Sequence, residues 1–194
     1  MTYALKSEQE QKELIRNYLN RDIEAIQRLN IDEIHRTMGA LWDAYEREAT
    51  IYIFGNGGSA ATASHFVCDF NKGVSEKKNR KFNFVCLNDN TSLVMAIAND
   101  NSYDDVFLFQ LINKLKPTDL VIGISGSGNS RNVIRAVEYA KEVGTPVIGI
   151  TGYHGGRLKE LADYHTDAMT DDMQISEDMH MIFDHMMYNV FTRE

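Results

Sequence analysis

Two short apolar runs in this chain break into glycine and serine in the same manner. Ile51–Ser59 reads IYIFGNGGS, and Leu120–Ser130, about seventy residues later, reads LVIGISGSGNS. Each then leads into a helix-like segment. Apolar runs that do not alternate in polarity fit strands covered by helices on both faces. Glycine lets the backbone approach an anion, a helix N-terminus offers unpaired N–H groups, and serine hydroxyls add donors. Two such loops in one small chain predict a phosphorylated small molecule held at the ends of parallel strands.

The rest of the chain is consistent with an α/β class built around those runs. Residues 7 to 48 read as helix, with Leu14, Ile15, Tyr18, Leu19, Ile23 and Ile26 at threes and fours, then Ile34, Met38, Leu41, Trp42 and Tyr45. A break near Asn30-Ile31-Asp32, with Asp32 as the expected cap, divides this into two helices. Their apolar faces must cover either the body of the molecule or another subunit. Strands are predicted at Ile51–Phe54, Phe82–Leu87, Leu120–Ile124 and Val147–Ile150. Helices are predicted over 59–71, 91–98 with 103–114, 130–142, 156–162 and 175–191. With no linker or low-complexity tract, 1–194 reads as one domain, a helical segment 1–48 followed by an α/β core 49–194.

The second loop is the stronger anion site. Ser125, Ser127 and Ser130 alternate with Gly126, Gly128 and Asn129 directly after a strand, and a helix follows. The first loop, with Gly55, Gly57 and Ala60, partly imitates a dinucleotide fingerprint. That reading wants an acidic residue about twenty positions on, and Asp89 lies too far away, with the serine loop left unused. Beyond the first loop, His65 and Asp69 stand four apart on one helix face, as in a metal arm or a base with its partner. Glu177, His180 and His185 lie on the last helix; eight positions put Glu177 and His185 about 80° apart, so both can lean towards one cleft. Two histidines and two carboxylates, His65, Asp69, Glu177 and His185, suit zinc or a similar divalent ion if the fold joins these helices.

Charge and composition narrow the partners. A formal net charge of −8 argues against a general nucleic-acid surface. The basic cluster Lys77, Lys78, Arg80, Lys81 reads as a solvated loop. No stretch approaches the apolar length of a membrane span, and MTYALKSEQEQKELI is too charged for a signal peptide. Cys68 and Cys86 fit no metal-finger spacing and read as free thiols, so a cytoplasmic location is expected.

Taken together, GNGGSAATASHF, GISGSGNSRNVIRAVEYA, TGYHGGRLKELAD and EDMHMIFDH resemble the sugar isomerase (SIS) domain, and within it the phosphoheptose, or sedoheptulose 7-phosphate, isomerases. The resemblance runs over nearly the whole chain. It implies a five-stranded parallel sheet flanked by helices, with N-terminal helices contributing to a homotetramer whose active sites lie at subunit interfaces. It also implies aldose–ketose interconversion of a sugar phosphate, commonly with bound zinc. By position, Asn56, Gly57, Ser59, Asn90, Ser125, Gly126, Ser127, Ser130 and Glu177 would bind phosphate or substrate, with Asp69 as catalytic base and His185 as its acid/base partner.

Several positions depart from the family pattern. Asp69 stands where the family has glutamate, Glu177 where it has glutamine, Gly126 for the usual threonine and Asn90 for a substrate-facing aspartate. An arginine normally four residues after the base is absent, with Lys72 and Gly73 nearby. The expectation is an isomerase with the phosphate site kept and the sugar-reading groups changed, acting on a variant sugar phosphate. The other reading is a non-catalytic SIS protein that senses a sugar phosphate or binds a protein partner; Asp69 and His185 favour catalysis.

Overall fold

The computed structural model describes residues 6–193. The first five residues and the last one, which the sequence reading placed in the same domain, lie outside the described residues. A capping box, with Ser7 and Glu10 bonding each other's backbone N–H, starts helix α1 (Glu8–Arg28). Helix α2 (Ile31–Glu46) follows at once. Its cap is Asn30 rather than the expected Asp32: the Asn30 side chain accepts from the Asp32 and Glu33 N–H groups. Asp32 instead sits in the first turn, where its charge favours the helix dipole.

Five parallel strands form one sheet in the order β2-β1-β3-β4-β5. They are β1 (Ile51–Gly55), β2 (Phe84–Cys86), β3 (Leu120–Ser125), β4 (Val147–Thr151) and β5 (Tyr164–Asp167). The central strands pair in register, Ile53 with Ile122 and Ile122 with Ile148, and both faces are buried, which explains their unbroken apolar sequence. One face packs Ile51, Ile53, Ile122 and Ile150 with helices α1, α2, α3 (Gly58–Cys68) and α8 (Met173–Thr192). The other packs Phe54, Val121 and Val147 with α4 (Thr91–Asp100), α5 (Leu108–Leu111), α6 (Arg131–Val143) and α7 (Gly156–Leu161).

Three sequence expectations are corrected here. β5 was not among the strands read from the residues, because Tyr164-His165-Thr166-Asp167 is a polar edge strand without an apolar run. β2 is shorter than 82–87: the Phe82 N–H donates to Ser75 Oγ and the Phe84 N–H to Asn71 Oδ1. The segment 103–114 is no continuous helix but a 3₁₀ turn, Tyr103–Asp105, and the single turn α5. Val106, Phe107 and Leu111 are buried there while Phe109 and Ile112 are exposed, and Asn113 takes a positive φ of 61° that ends the turn.

After α3 the chain winds more widely, as a π-helical turn over Asp69–Val74. Within it Phe70 is fully buried, while Asn71 bonds both the N–H and the C=O of Phe84 on edge strand β2, at 2.8 and 2.9 Å. Such turns inside helices recur at functional sites.

Candidate active site

The two glycine-serine loops meet at the C-terminal ends of β1 and β3. They line a cavity of about 290 Å³ with Asn56, Gly57, Gly58, Ser59, Ser125, Gly126, Ser127 and Ser130, closed on one side by Met173 and Glu177 of α8. Gly57, with φ of 55°, turns β1 into the start of α3. Ser130 stands before the first residue of α6, so two helix N-termini face this region.

Hydrogen bonds fix the second loop. The Ser125 and Ser130 hydroxyls bond each other at 3.0 Å, and the Gly128 N–H donates to the Ser125 carbonyl at 2.9 Å. Gly128 has φ of 65°, and a Cβ there would lie 1.9 Å from the Gly155 carbonyl oxygen, so the loop is pressed against the turn before α7. Asn56 pairs with Asn132 by two reciprocal amide bonds, 2.8 and 2.9 Å, and its Oδ1 also accepts from the Tyr103 hydroxyl at 2.8 Å. Asn132 and Tyr103 were not singled out in the sequence; nothing in their spacing reveals an amide pair across 76 residues.

The departures from the family pattern find local reasons. Gly126 faces Met173: a Cβ at Gly126 would lie 2.9 Å from Met173 Sδ, so a threonine there would have to push the flexible thioether aside. Glu177 packs its carboxyl group against Gly58, 2.3 Å from where a Cβ would be, so a larger residue at 58 would have to swing that carboxyl group away from the start of α3. Asn90 is not in the cavity; its side chain caps α4 by accepting from the Leu93 N–H at 3.1 Å.

A second cluster lies farther along α3 and α8. His65, Asp69, Asp184 and His185 each offer a donor atom, all within 4.8 Å of one another. The His65 Nε2 lies 3.3 Å from His185 Nε2, 3.6 Å from Asp69 Oδ2 and 3.7 Å from Asp184 Oδ2. Three of the four residues expected to hold a metal are thus brought together. Glu177 stays outside the group, and Asp184 stands in it instead. Asp184 was missed because it falls beside apolar Phe183 in a helix read for its apolar face. Its carboxyl group is wholly buried, neither oxygen has a hydrogen-bond partner, and burial, then the neighbouring Asp69 charge, pushes it up to about 8.

Among known proteins, the SIS domain matches residues 16–152. A probable phosphoheptose isomerase of Thermoplasma acidophilum is 40% identical over 172 residues, which span 89% of this chain and 94% of that protein. The chain belongs to the SIS-domain phosphoheptose isomerase family. A family member from Helicobacter pylori, a phosphoheptose isomerase, is 33% identical over 185 residues, 94% of either chain. The solved phosphoheptose isomerase of Neisseria gonorrhoeae superposes with a TM-score of 0.85 at 28% identity, covering 93% of this chain and 97% of that one. The structure of a phosphoheptose isomerase from Francisella tularensis shares the fold at a TM-score of 0.87 and 21% identity. The shared fold thus extends over nearly the whole chain.

Proposed function

We propose that this SIS-domain protein is an aldose–ketose isomerase of a sugar phosphate, with sedoheptulose 7-phosphate as the first substrate to test. The observation that carries this is the placement of an anion cavity and a carboxylate–imidazole cluster on the same two helices. Six residues separate Ser59 from His65, about 9 Å along α3. From the phosphorus to C2 of a seven-carbon sugar phosphate is seven bonds, about 8 Å at roughly 1.2 Å per bond in an extended chain. A substrate with its phosphate among Ser59, Ser125, Ser127 and Ser130 thus brings its reacting carbons to the cluster.

The reaction moves a proton between adjacent carbons through an enediol. Asp69 takes the proton from carbon and returns it to the neighbouring carbon, and the His185 imidazole serves the oxygens. The serine hydroxyls and the two helix N-termini hold the phosphate and fix the register of the chain. Two imidazoles and carboxylate oxygens this close fit a divalent ion, with zinc the natural occupant, and His65, Asp69 and His185 would hold it. Such an ion would place positive charge near the substrate oxygens that become negative in the enediol. Gly126 and Glu177, where the family pattern has threonine and glutamine, both line the cavity, which supports a substrate that differs from the family's usual one.

Leu14, Ile15, Leu19, Ile23 and Ile26 leave α1 with an exposed apolar face, and an open apolar groove of about 480 Å³ runs beside His185 between α2 and α8. These support a homotetramer with active sites at subunit interfaces, which light scattering would read as four protomers. No helix among the described residues is long and apolar enough to cross a membrane; with both cysteines free, we assign the protein to the cytoplasm.

The test is proton NMR of sedoheptulose 7-phosphate in D₂O with protein and added zinc. Aldose carrying deuterium at C2 supports the proposal. No exchange with this and a panel of other sugar phosphates, from folded protein that binds phosphate, rejects it in favour of a sensor.

A further inference from the structure

Asp184 is a buried carboxyl group that no hydrogen bond explains. It is fully buried, both oxygens lack hydrogen-bond partners, and among the described residues no lysine or arginine pairs with it. Its charged neighbour Asp69 repels it. An unpaired buried carboxylate is costly, and packed hydrophobic side chains would serve the core of α8 better. A cation at the point towards which Asp184, Asp69, His65 and His185 converge would give both oxygens a partner and remove that cost.

The spacing supports one ion. Ligands at about 2.0–2.1 Å from a tetrahedral zinc stand about 3.3 Å apart. The three separations from His65 Nε2 are 3.3, 3.6 and 3.7 Å, and all four donor atoms lie within 4.8 Å of one another, so small side-chain adjustments would bring them onto one ion. Glu177, by contrast, lies two turns earlier on α8 with its carboxyl group against Gly58. It belongs to the rim of the phosphate cavity.

We propose that Asp184 is a ligand of the divalent ion, so that the set in this chain is His65, Asp69, Asp184 and His185, and Glu177 is not a ligand. This rests on the reading that the site holds a metal. Two carboxylates then balance the charge of a dication at the buried wall, while the imidazole of exposed His185 closes the outer side. Asp184 approaches from inside the core, so its donor is held by packing and needs no ordering when the ion binds.

The experiment uses chelator-treated full chain, titrated with zinc against a chromophoric competitor and with cobalt followed by its visible absorption. Wild type should take up one ion per protomer. Asp184→Asn should weaken zinc at least tenfold to a hundredfold and change the cobalt spectrum, whereas Glu177→Gln should stay within about threefold. Asp184→Leu separates ligand loss from misfolding: it should melt higher than metal-free wild type and still lose the metal. Asp184 variants that bind as wild type does, or a loss seen with Glu177→Gln instead, overturn the assignment. If wild type takes up no zinc, cobalt or manganese, the metal reading fails with it, and the NMR assay still decides separately whether the protein is an isomerase.

Discussion

His180, one helical turn before Asp184, predicts a specific acid sensitivity. It is wholly buried on α8, its ring 6.3 Å from that of Phe183, and neither ring nitrogen has a hydrogen-bond partner. Burial lowers it to about 4; the Thr151 main chain pulls the other way but lies outside hydrogen-bond geometry. In the unfolded chain the imidazole titrates near its ordinary value of about 6.5. The folded group is therefore neutral where the unfolded one begins to bind a proton. Its contribution is fully present above about pH 6.5 and is lost as pH falls towards 4. Between about pH 7.5 and pH 5 the loss comes to about 2 kcal/mol. His180→Leu removes the titrating group with little change in volume. Urea unfolding at both pH values, at one protein concentration and with a chelator present, should show wild type losing about 2 kcal/mol more than the variant. Other titrating groups cancel in that difference. Equal losses in the two proteins would refute the reasoning, because the buried ring would then be titrating as it does in water.

Three further outcomes follow from the site. Gly128→Ala puts a Cβ 1.9 Å from the Gly155 carbonyl oxygen at a φ of 65° and should cost at least about 3 kcal/mol, read as a lower melting temperature and weaker inorganic phosphate binding. Asp69→Asn should cut turnover by at least about a hundredfold with phosphate affinity unchanged by calorimetry; unchanged turnover would remove Asp69 from the chemistry. Gly126→Thr should destabilise by about 1–3 kcal/mol alone and much less combined with Met173→Ala, a coupling that a double-mutant cycle measures.

The parts of the fold that were legible in the sequence are those in which local pattern and tertiary burial agree. The runs Ile51–Phe54 and Leu120–Ile124 are apolar throughout because helices cover both faces of the sheet, and the small residues after them are there because helix starts follow at once. His65 and Asp69 were paired by helical spacing, which survives in the structure; His185 was paired with Glu177, and it is the packing of α8 on α3 that brings it to His65. Other features depended on three-dimensional neighbours that leave no periodic trace. Asp184 gains its meaning from a residue 119 positions earlier, His65. Tyr164–Asp167 is a strand because Ile148–Thr151 offers it an edge, whatever its own polarity. Glu177, grouped by angle with His185, is drawn away by the space that Gly58 leaves. Helical angle gives a side chain's direction, but its length and the gap beside it decide where the charged end goes.

The π-helical turn at Asp69–Val74 works as a vernier between two rulers of different pitch. Helix α3 aims side chains every 100°, whereas the sheet beside it offers fixed positions set by β2. His65 and Asp69 keep the four-residue spacing of a regular helix, and the wider turn that begins at Asp69 lets Phe70 enter the core and Asn71 reach both polar groups of Phe84. Deleting one residue there would make the helix regular, yet it would turn everything downstream by about 100°. Asn71 would lose its grip on β2, while Asp69, upstream of the change, would keep its place beside His65. The turn therefore joins the end of the helix that carries His65 and Asp69 to the anchoring of an edge strand, and this segment should tolerate substitution far better than any change in its length.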